Sequence, residues 1–178
     1  NGNYLLGVHI ADVSYYVKEG TALDREAFDR GTSIYLVDNV IPMLPEKLSN
    51  NLCSLNRNKL RLTLSCSMEI NSDGIVLRYE IFKSVIKSAM RMTYTKVAEI
   101  LEGDMASRSK YSPLVPMLED ARRLAMILRD KRSKRGSIDF DFPEPKVYVD
   151  KNGDVAKIAV CKSTVSTKII EEFMLAAN

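Results

Sequence analysis

Strict alternation of apolar and polar residues over 60–70 is the feature that most constrains the fold of this 178-residue chain. Because successive side chains of a strand point to opposite sides of a sheet, the pattern predicts a half-buried β-strand. The tetrad NSDG at 71–74 follows, with the Asp-Gly pair typical of a hairpin turn. Residues 75–87 are apolar enough to return as the partner strand. The sequence therefore predicts a long antiparallel hairpin.

Other segments supply further strands and helices. Residues 4–10 predict a strand that could extend towards Val17, and 147–149 with 155–160 predict a second hairpin. Apolar residues at helical spacing predict a long helix from about Pro113, while 107–111 reads as a polar loop. They also predict a last helix over 167–178, with its apolar face formed by Ile169, Ile170, Phe173, Met174 and Ala177. Thr21 or Asp24 can cap a short helix that runs to Arg30 and stops at Gly31, and Thr93 or Thr95 can cap another that ends at Gly103. The predicted fold class is α+β, a mainly antiparallel sheet with helices packed on a face.

The stretch 31–55 fits neither pattern. Residues 34–37 predict a short strand, two prolines at 42 and 45 then favour extended backbone, and leucines at 48, 52 and 55 indicate a short helix or turn. A loop this long and apolar within a compact domain is usually functional. Its exposed aromatic candidate is Tyr35.

Composition restricts the chemistry available. Hydrophobic content of 46% and charged content of 28% are typical of soluble globular proteins. The three cysteines show no CxxC spacing, so neither a zinc site nor a disulfide framework is indicated, and reduced thiols suit a cytoplasmic protein. No segment resembles a signal peptide or membrane span. His9, the one histidine, lies in an apolar strand, where a satisfied edge or core histidine is expected rather than a catalyst.

Some patterns leave alternatives open. Asp139 and Asp141 would share one side of a strand through Phe140, either as an acid pair or simply as solvated carboxylates. The cationic run at 129–135 either caps its helix or follows the phosphates of a nucleic acid. Tyr35, Tyr94 and Phe140 could stack on bases, although aromatic residues in strands often belong to the core. The residues alone thus indicate an α+β domain, leave a nucleic-acid surface as one of two alternatives, and do not specify a reaction.

Five motifs resemble a known family. GVHIADVSYYV at 7–17, RGTSIYLVDNVIPMLPEKLSNNLCSLN at 30–56, RMTYTKV at 91–97, KRGSIDFDFPEPKV at 134–147 and KIIEEFMLAAN at 168–178 are similar, in that order, to the RNB catalytic domain of the ribonuclease II and ribonuclease R family. The GTSIYL and RGSIDF forms are closer to the ribonuclease R branch. The resemblance covers essentially the whole chain.

The resemblance implies a magnesium-dependent, processive 3′→5′ exoribonuclease that hydrolyses single-stranded RNA to nucleoside 5′-monophosphates. Tyr35 and Phe140 match the aromatic residues that clamp the terminal bases. Tyr94 and Glu171 match the pair associated with preference for RNA over DNA, since a hydroxyl and a carboxylate suit a ribose 2′-OH. Asp139 and Asp141 have no catalytic counterpart in the family, and Glu172 is expected to be structural.

The same resemblance implies that the catalytic residues lie outside residues 1–178. The family's metal-binding aspartates, spaced D-x5-D-x-D-D, lie before HIADVS, and its catalytic arginine lies in a TSPIRRY-like stretch after the last helix. We therefore expect residues 1–178 to be the central part of one RNB domain, truncated at both ends, with no catalytic or metal-binding residue and no activity alone. The alternative is a non-catalytic RNA-binding or regulatory relative. Single-stranded RNA is the expected partner; the residues point to no particular protein partner.

Overall fold

A computed structural model describes residues 2–37, 39–138, 144–150, 154–161 and 163–178. The strands are β1 (Tyr4–Ala11), β2 (Ile34–Tyr35), β3 (Val40–Ile41), β4 (Leu60–Ile70), β5 (Val76–Lys87), β6 (Glu144–Val149) and β7 (Val155–Cys161). The helices are α1 (Val13–Tyr16), α2 (Ala22–Arg30), α3 (Tyr94–Glu102), α4 (Met105–Lys110), α5 (Val115–Lys134) and α6 (Val165–Ala177). A π-helical turn occupies Lys47–Leu52 and a 3₁₀ turn occupies Ser112–Leu114.

A three-stranded antiparallel sheet in the order β1-β4-β5 forms the base of the fold. The predicted hairpin is confirmed, since Asn71 Oδ1 accepts hydrogen bonds from the backbone N–H groups of Asp73 and Ile75 and closes the turn. The strands β2-β3 and β6-β7 form two separate hairpins, the second of them as predicted. With the helices described below, this architecture confirms the α+β prediction.

Helices cover part of one face of this sheet. Leu124 of α5 packs against Leu6, Met68 and Ile70 of the sheet. A second core cluster joins α3, α5 and α6 through Ile100, Leu101, Val115, Leu118, Ala125 and Ile169. Burial of apolar area contributes about 25 cal/mol per Å². The first cluster therefore holds α5 against the sheet, and the second holds α3, α5 and α6 together. No helix among the described residues is long and apolar enough to cross a membrane.

Two polar residues of β4, Thr63 and Ser65, are buried where the alternation predicted solvent, whereas Met68 and Ile70 are buried as predicted. Thr63 and Ser65 are 0% and 1% exposed, whereas Leu64 between them is 46% exposed. The hydroxyls of Thr63, Ser65 and Ser84 lie 2.7–3.2 Å from one another, and hydrogen-bonded polar groups can be buried at little cost. His9 Nδ1 lies 2.7 Å from Ser65 Oγ, so His9 is a satisfied edge-strand histidine.

The first strand ends earlier than the predicted extension towards Val17. Asp12 follows it and caps α1, its Oδ1 accepting from the Ser14 hydroxyl at 2.6 Å and from the Tyr15 backbone N–H at 3.1 Å. The Ser14 hydrogen bond is the main reason that the pKa of Asp12 lies below its ordinary value. The ionised Asp12 side chain stabilises the start of α1 directly after the strand ends.

The predicted loop at 107–111 is wrong, because helix α4 occupies most of it. Asp104 begins the helix by accepting the Ser107 backbone N–H at 2.7 Å, and this bond lowers the pKa of Asp104. Arg108 then reaches Glu119 of α5 at 2.7 Å. The segment MASRSK has no apolar periodicity that would predict a helix. The Asp104 cap and the Arg108–Glu119 ion pair stabilise the helix instead.

Candidate nucleic-acid interface

Tyr35 is presented on the small β2-β3 hairpin. The predicted strand over 34–37 is shorter than expected, because the chain turns after Tyr35 and Leu36 donates its N–H to Asn39 O at 2.8 Å. Tyr35 pairs with Val40 across the hairpin, and its side chain is 79% exposed. Five other large apolar residues of this hairpin are also more than 40% exposed: Ile34, Leu36, Val37, Val40 and Ile41. An exposed apolar patch of this kind commonly marks a binding surface.

The hairpin is attached to the fold from both sides. Ser33 Oγ accepts the Met43 backbone N–H at 2.9 Å, and Arg30 at the end of α2 donates to Pro42 O at 3.3 Å. The π-helical turn that follows is held to the sheet by Arg61, whose Nε donates to Asn51 O and Ser54 O at 3.0 and 2.9 Å. The stretch 31–55 is therefore a supported loop that displays Tyr35.

Tyr94 begins helix α3, on a different part of the fold from Tyr35. Thr93 caps this helix, its side chain accepting the Lys96 N–H at 3.3 Å, as one of the two predicted caps. The Tyr94 side chain is 53% exposed, while its carbonyl accepts the hydroxyl of buried Ser166 at 2.8 Å. Since Ser166 lies in the first turn of α6, this bond joins the starts of the two helices that carry Tyr94 and Glu171.

Helix α6 faces its neighbours differently from the sequence prediction. It begins at Val165, capped by Thr164 in a capping box with Thr167. Ile169 is buried as expected, but Ile170 and Met174 are 48% and 37% exposed. The buried side carries Ser166, Ile169 and Glu172 instead.

The adjacent acids of α6 have opposite environments. The Glu172 side chain is 4% exposed and Glu171 is 55% exposed. Arg132 of α5 donates to Glu172 Oε1 from Nε at 3.1 Å and from Nη2 at 2.8 Å. The same Nη2 lies 3.8 Å from Glu171 Oε1. Glu172 therefore has the structural role expected of it, and Glu171 remains accessible.

The cationic run at 129–135 is more than a solvated helix cap. Lys131 Nζ donates to Gly74 O of the β4-β5 turn at 2.7 Å, and Arg132 holds Glu172. Arg129 lines a pocket of about 220 Å³ between α5 and the start of α6, together with Arg122 and Lys168. Glu172 also lines this pocket, and three cations against one carboxylate leave a positive potential that favours anions.

Comparison with known proteins decides the family. A model of the RNB domain matches residues 1–178, the whole chain. The chain belongs to the RNB domain family.

Relatives of this RNB domain include ribonuclease R from Thermotoga maritima, 57% identical over all of the chain and 25% of the relative. Ribonuclease R from Escherichia coli is 45% identical over 99% of the chain and 22% of the relative. Mycoplasma genitalium RNase R, solved with ribose-methylated single-stranded RNA, superposes with a TM-score of 0.89 at 32% identity, over 98% of the chain and 27% of that protein. The chain thus spans about a quarter of the length of the curated relatives it matches.

Phe140 and the Asp139–Asp141 pair lie outside the described residues. The last described residue before them is Ile138, and the hydroxyl of its neighbour Ser137 accepts from Arg132 Nη1 at 2.7 Å. The base clamp therefore stays a prediction at its phenylalanine, and the role of the two aspartates stays untested.

Magnesium, which the resemblance implies, needs several oxygen ligands. In the described part of this RNB domain, no group of three or more His, Cys, Asp or Glu side chains is placed to hold a metal ion. The described residues therefore do not fit the ion.

Arg132 is the residue that sequence reasoning missed. A signal for it was present: Glu172 follows Ile169 by three positions and therefore falls on the buried stripe of the helix. A carboxylate on such a stripe needs a buried cation or several donors. The identity of the partner could not be read, because Arg132 lies 40 residues away in the sequence.

Proposed function

We propose that this RNB domain is part of a magnesium-dependent, processive 3′→5′ exoribonuclease that degrades single-stranded RNA to nucleoside 5′-monophosphates in the cytoplasm. The observation that supports this most directly is the RNB match over the entire chain, with 57% identity to a ribonuclease R. A relative solved with single-stranded RNA supports RNA as the ligand. The free thiols of Cys53 and Cys66 agree with a reducing compartment.

Within that enzyme, this segment would hold the RNA and leave hydrolysis to residues elsewhere in the longer protein. Its exposed Tyr35 would stack on a terminal base, with Phe140 as the opposing ring. Stacking needs only the π-face that every base has, so the clamp would accept any sequence. The metal ligands and catalytic arginine would belong to flanking segments.

Replacing Tyr35 by alanine in the intact protein should lengthen the final product of RNA digestion. Loss of a stack weakens binding by about 1–3 kcal/mol per base, so short oligonucleotides would dissociate before the last cleavage. The measurement is a time course on 5′-labelled single-stranded RNA, resolved to single nucleotides. The wild-type digest itself tests the proposed function, because a 3′→5′ exonuclease leaves one short labelled end product and releases monophosphates.

Two variants control this experiment. Tyr35→Phe keeps the ring and should keep the wild-type end product. Phe28→Ala removes an aromatic ring that is 84% exposed on α2, outside the proposed clamp, and should change nothing. An end product of unchanged length in Tyr35→Ala would exclude Tyr35 from the clamp.

Tyr94 and Glu171 would read the ribose. Glu171 is the exposed acid of α6, and an ionised carboxylate accepts a hydrogen bond from a 2′-OH that DNA lacks. The tyrosine hydroxyl can donate to or accept from the same group. This pair would therefore favour RNA at the step that positions the terminal nucleotides.

Glu171→Ala in the intact protein should lower the ratio of RNA to DNA hydrolysis by about 10- to 150-fold, since a hydrogen bond to a charged group contributes roughly 1.5–3 kcal/mol. The ratio is measured as kcat/KM on RNA and DNA oligonucleotides of one sequence. Glu171→Gln keeps an acceptor oxygen and should lose less, while Glu102→Ala, on the surface of α3, should keep the full ratio. A wild-type ratio in Glu171→Ala would contradict the assignment.

The alternative is a non-catalytic RNA-binding relative. Such a protein would differ from the nuclease in the residues that precede HIADVS. An intact D-x5-D-x-D-D motif there supports the nuclease, and substituted aspartates support the binder. High identity to proteins named ribonuclease R favours the nuclease.

A further inference from the structure

We propose that Arg132 is a positioning residue for RNA recognition, which sets the place of the Glu171 carboxylate without touching the RNA. This inference rests on the proposed function, in which Glu171 reads the ribose. It adds a specificity-determining residue on another helix, α5.

The Arg132 guanidinium donates hydrogen bonds to both Glu172 and Ser137. Its Nε and Nη2 both donate to Glu172 Oε1, at 3.1 and 2.8 Å, and its Nη1 donates to Ser137 Oγ at 2.7 Å. With Glu172 4% exposed and Arg132 18% exposed, the pair is largely shielded from water. These bonds leave the guanidinium little freedom to rotate, so its position relative to α6 is well defined.

The contact to Glu171 is of a different kind. The Nη2–Oε1 distance of 3.8 Å exceeds the roughly 2.7–3.2 Å of an N–H···O hydrogen bond, so it is an electrostatic attraction. Such an attraction draws the carboxylate towards α5 and leaves its lone pairs open to a ligand. Glu171 is thereby restrained and still able to accept a 2′-OH.

A lysine could not replace this group. The arginine fork is planar and carries five donors, which allows it to bind Glu172 and Ser137 together and keep a fixed orientation. A lysine ammonium retains the charge but is a point donor on a flexible stem. Arg132→Lys therefore separates the geometry of the site from its net charge.

The experiment compares wild type, Arg132→Lys and Arg132→Gln in the intact protein. We measure kcat and KM on RNA and DNA oligonucleotides of the same sequence. Both variants should lower the RNA/DNA ratio of kcat/KM about tenfold, because small displacements of a positioning group carry costs of this size or greater. The rate on DNA should stay closer to wild type, since DNA offers no 2′-OH to Glu171.

Arg123→Gln is the matched control, because Arg123 is an arginine of the same helix that pairs with Asp120 on the surface. It should leave the ratio unchanged. Where a variant hydrolyses too slowly to measure, the ratio of Kd values for the two oligonucleotides replaces the rate ratio.

The outcomes separate the two proposals. If the wild type hydrolyses RNA but Arg132→Lys keeps the wild-type ratio, the positioning role is wrong and the proposed function stands. Equal losses on RNA and DNA also overturn it, since they identify Arg132 as a purely structural residue. If the wild type hydrolyses no RNA, the proposed function itself fails.

Discussion

We expect Glu172→Ala to lower the free energy of unfolding of the 178-residue chain by about 3–5 kcal/mol, the usual cost of removing one partner of a buried ion pair. Glu172 is 4% exposed and accepts two hydrogen bonds from Arg132. Its removal leaves the guanidinium partly buried without its main counter-charge and opens a cavity beside α5. Urea unfolding followed by circular dichroism measures the change.

Glu171→Ala provides a control at the adjacent position. Its carboxylate is 55% exposed and lies 3.8 Å from the same guanidinium, so we expect a change within about 0.5 kcal/mol, as for most surface substitutions. Similar losses for both variants would show that Arg132 depends on the two acids equally. In that case the division into one structural and one accessible glutamate would be wrong.

The second prediction with a large expected effect is that the 178 residues alone do not hydrolyse RNA. We expect the 178 residues, supplied with magnesium and single-stranded RNA, to release no nucleotides above a protein-free blank, whereas the intact protein digests the same RNA. The resemblance places the metal-binding aspartates before HIADVS, and two-metal hydrolysis requires such carboxylates to activate water and stabilise the leaving oxygen. Release of labelled monophosphates is the readout.

Two measurements make a negative result informative. Circular dichroism must show that the isolated chain is folded, and its binding to a single-stranded oligonucleotide should weaken with salt, as contacts to phosphate do. Magnesium-dependent hydrolysis by the folded chain would refute the assignment of the chemistry to flanking segments.

Most of the elements could be predicted because their signals are local. Thr93 and Gly103 delimit α3 as expected, and Thr21 and Gly31 delimit α2, since a cap needs only a few neighbouring residues. The NSDG turn likewise carries its own hydrogen bonds. Helix α4 escaped prediction because its support comes from Glu119 on another helix, outside any local window.

Which side of a strand or helix is buried was harder to predict than the strand or helix itself. Alternation in β4 correctly indicated a strand, but Thr63 and Ser65 are buried because Ser84 of the neighbouring strand satisfies their hydroxyls. In α6, a simple count of apolar residues favoured Ile170 and Met174 as core, yet both are more than a third exposed. Which side of an element is buried depends on what packs against it.

The candidate site, too, could be predicted only in part from the sequence. Tyr35, Tyr94 and Glu171 could be named from the sequence through long motifs shared with the RNB family, and each is at least half exposed in the fold, with Phe140 still to be placed. From its own residues the sequence determined the antiparallel hairpin and the boundaries of α2 and α3, and it left RNA binding open. Only the tertiary structure decided that Glu172 is buried, that Arg132 holds it, and that Glu171 stays open. The physical reason is that periodicity and capping act over a few residues, whereas the pairing of charges 40 positions apart exists only once the helices that carry them have packed together.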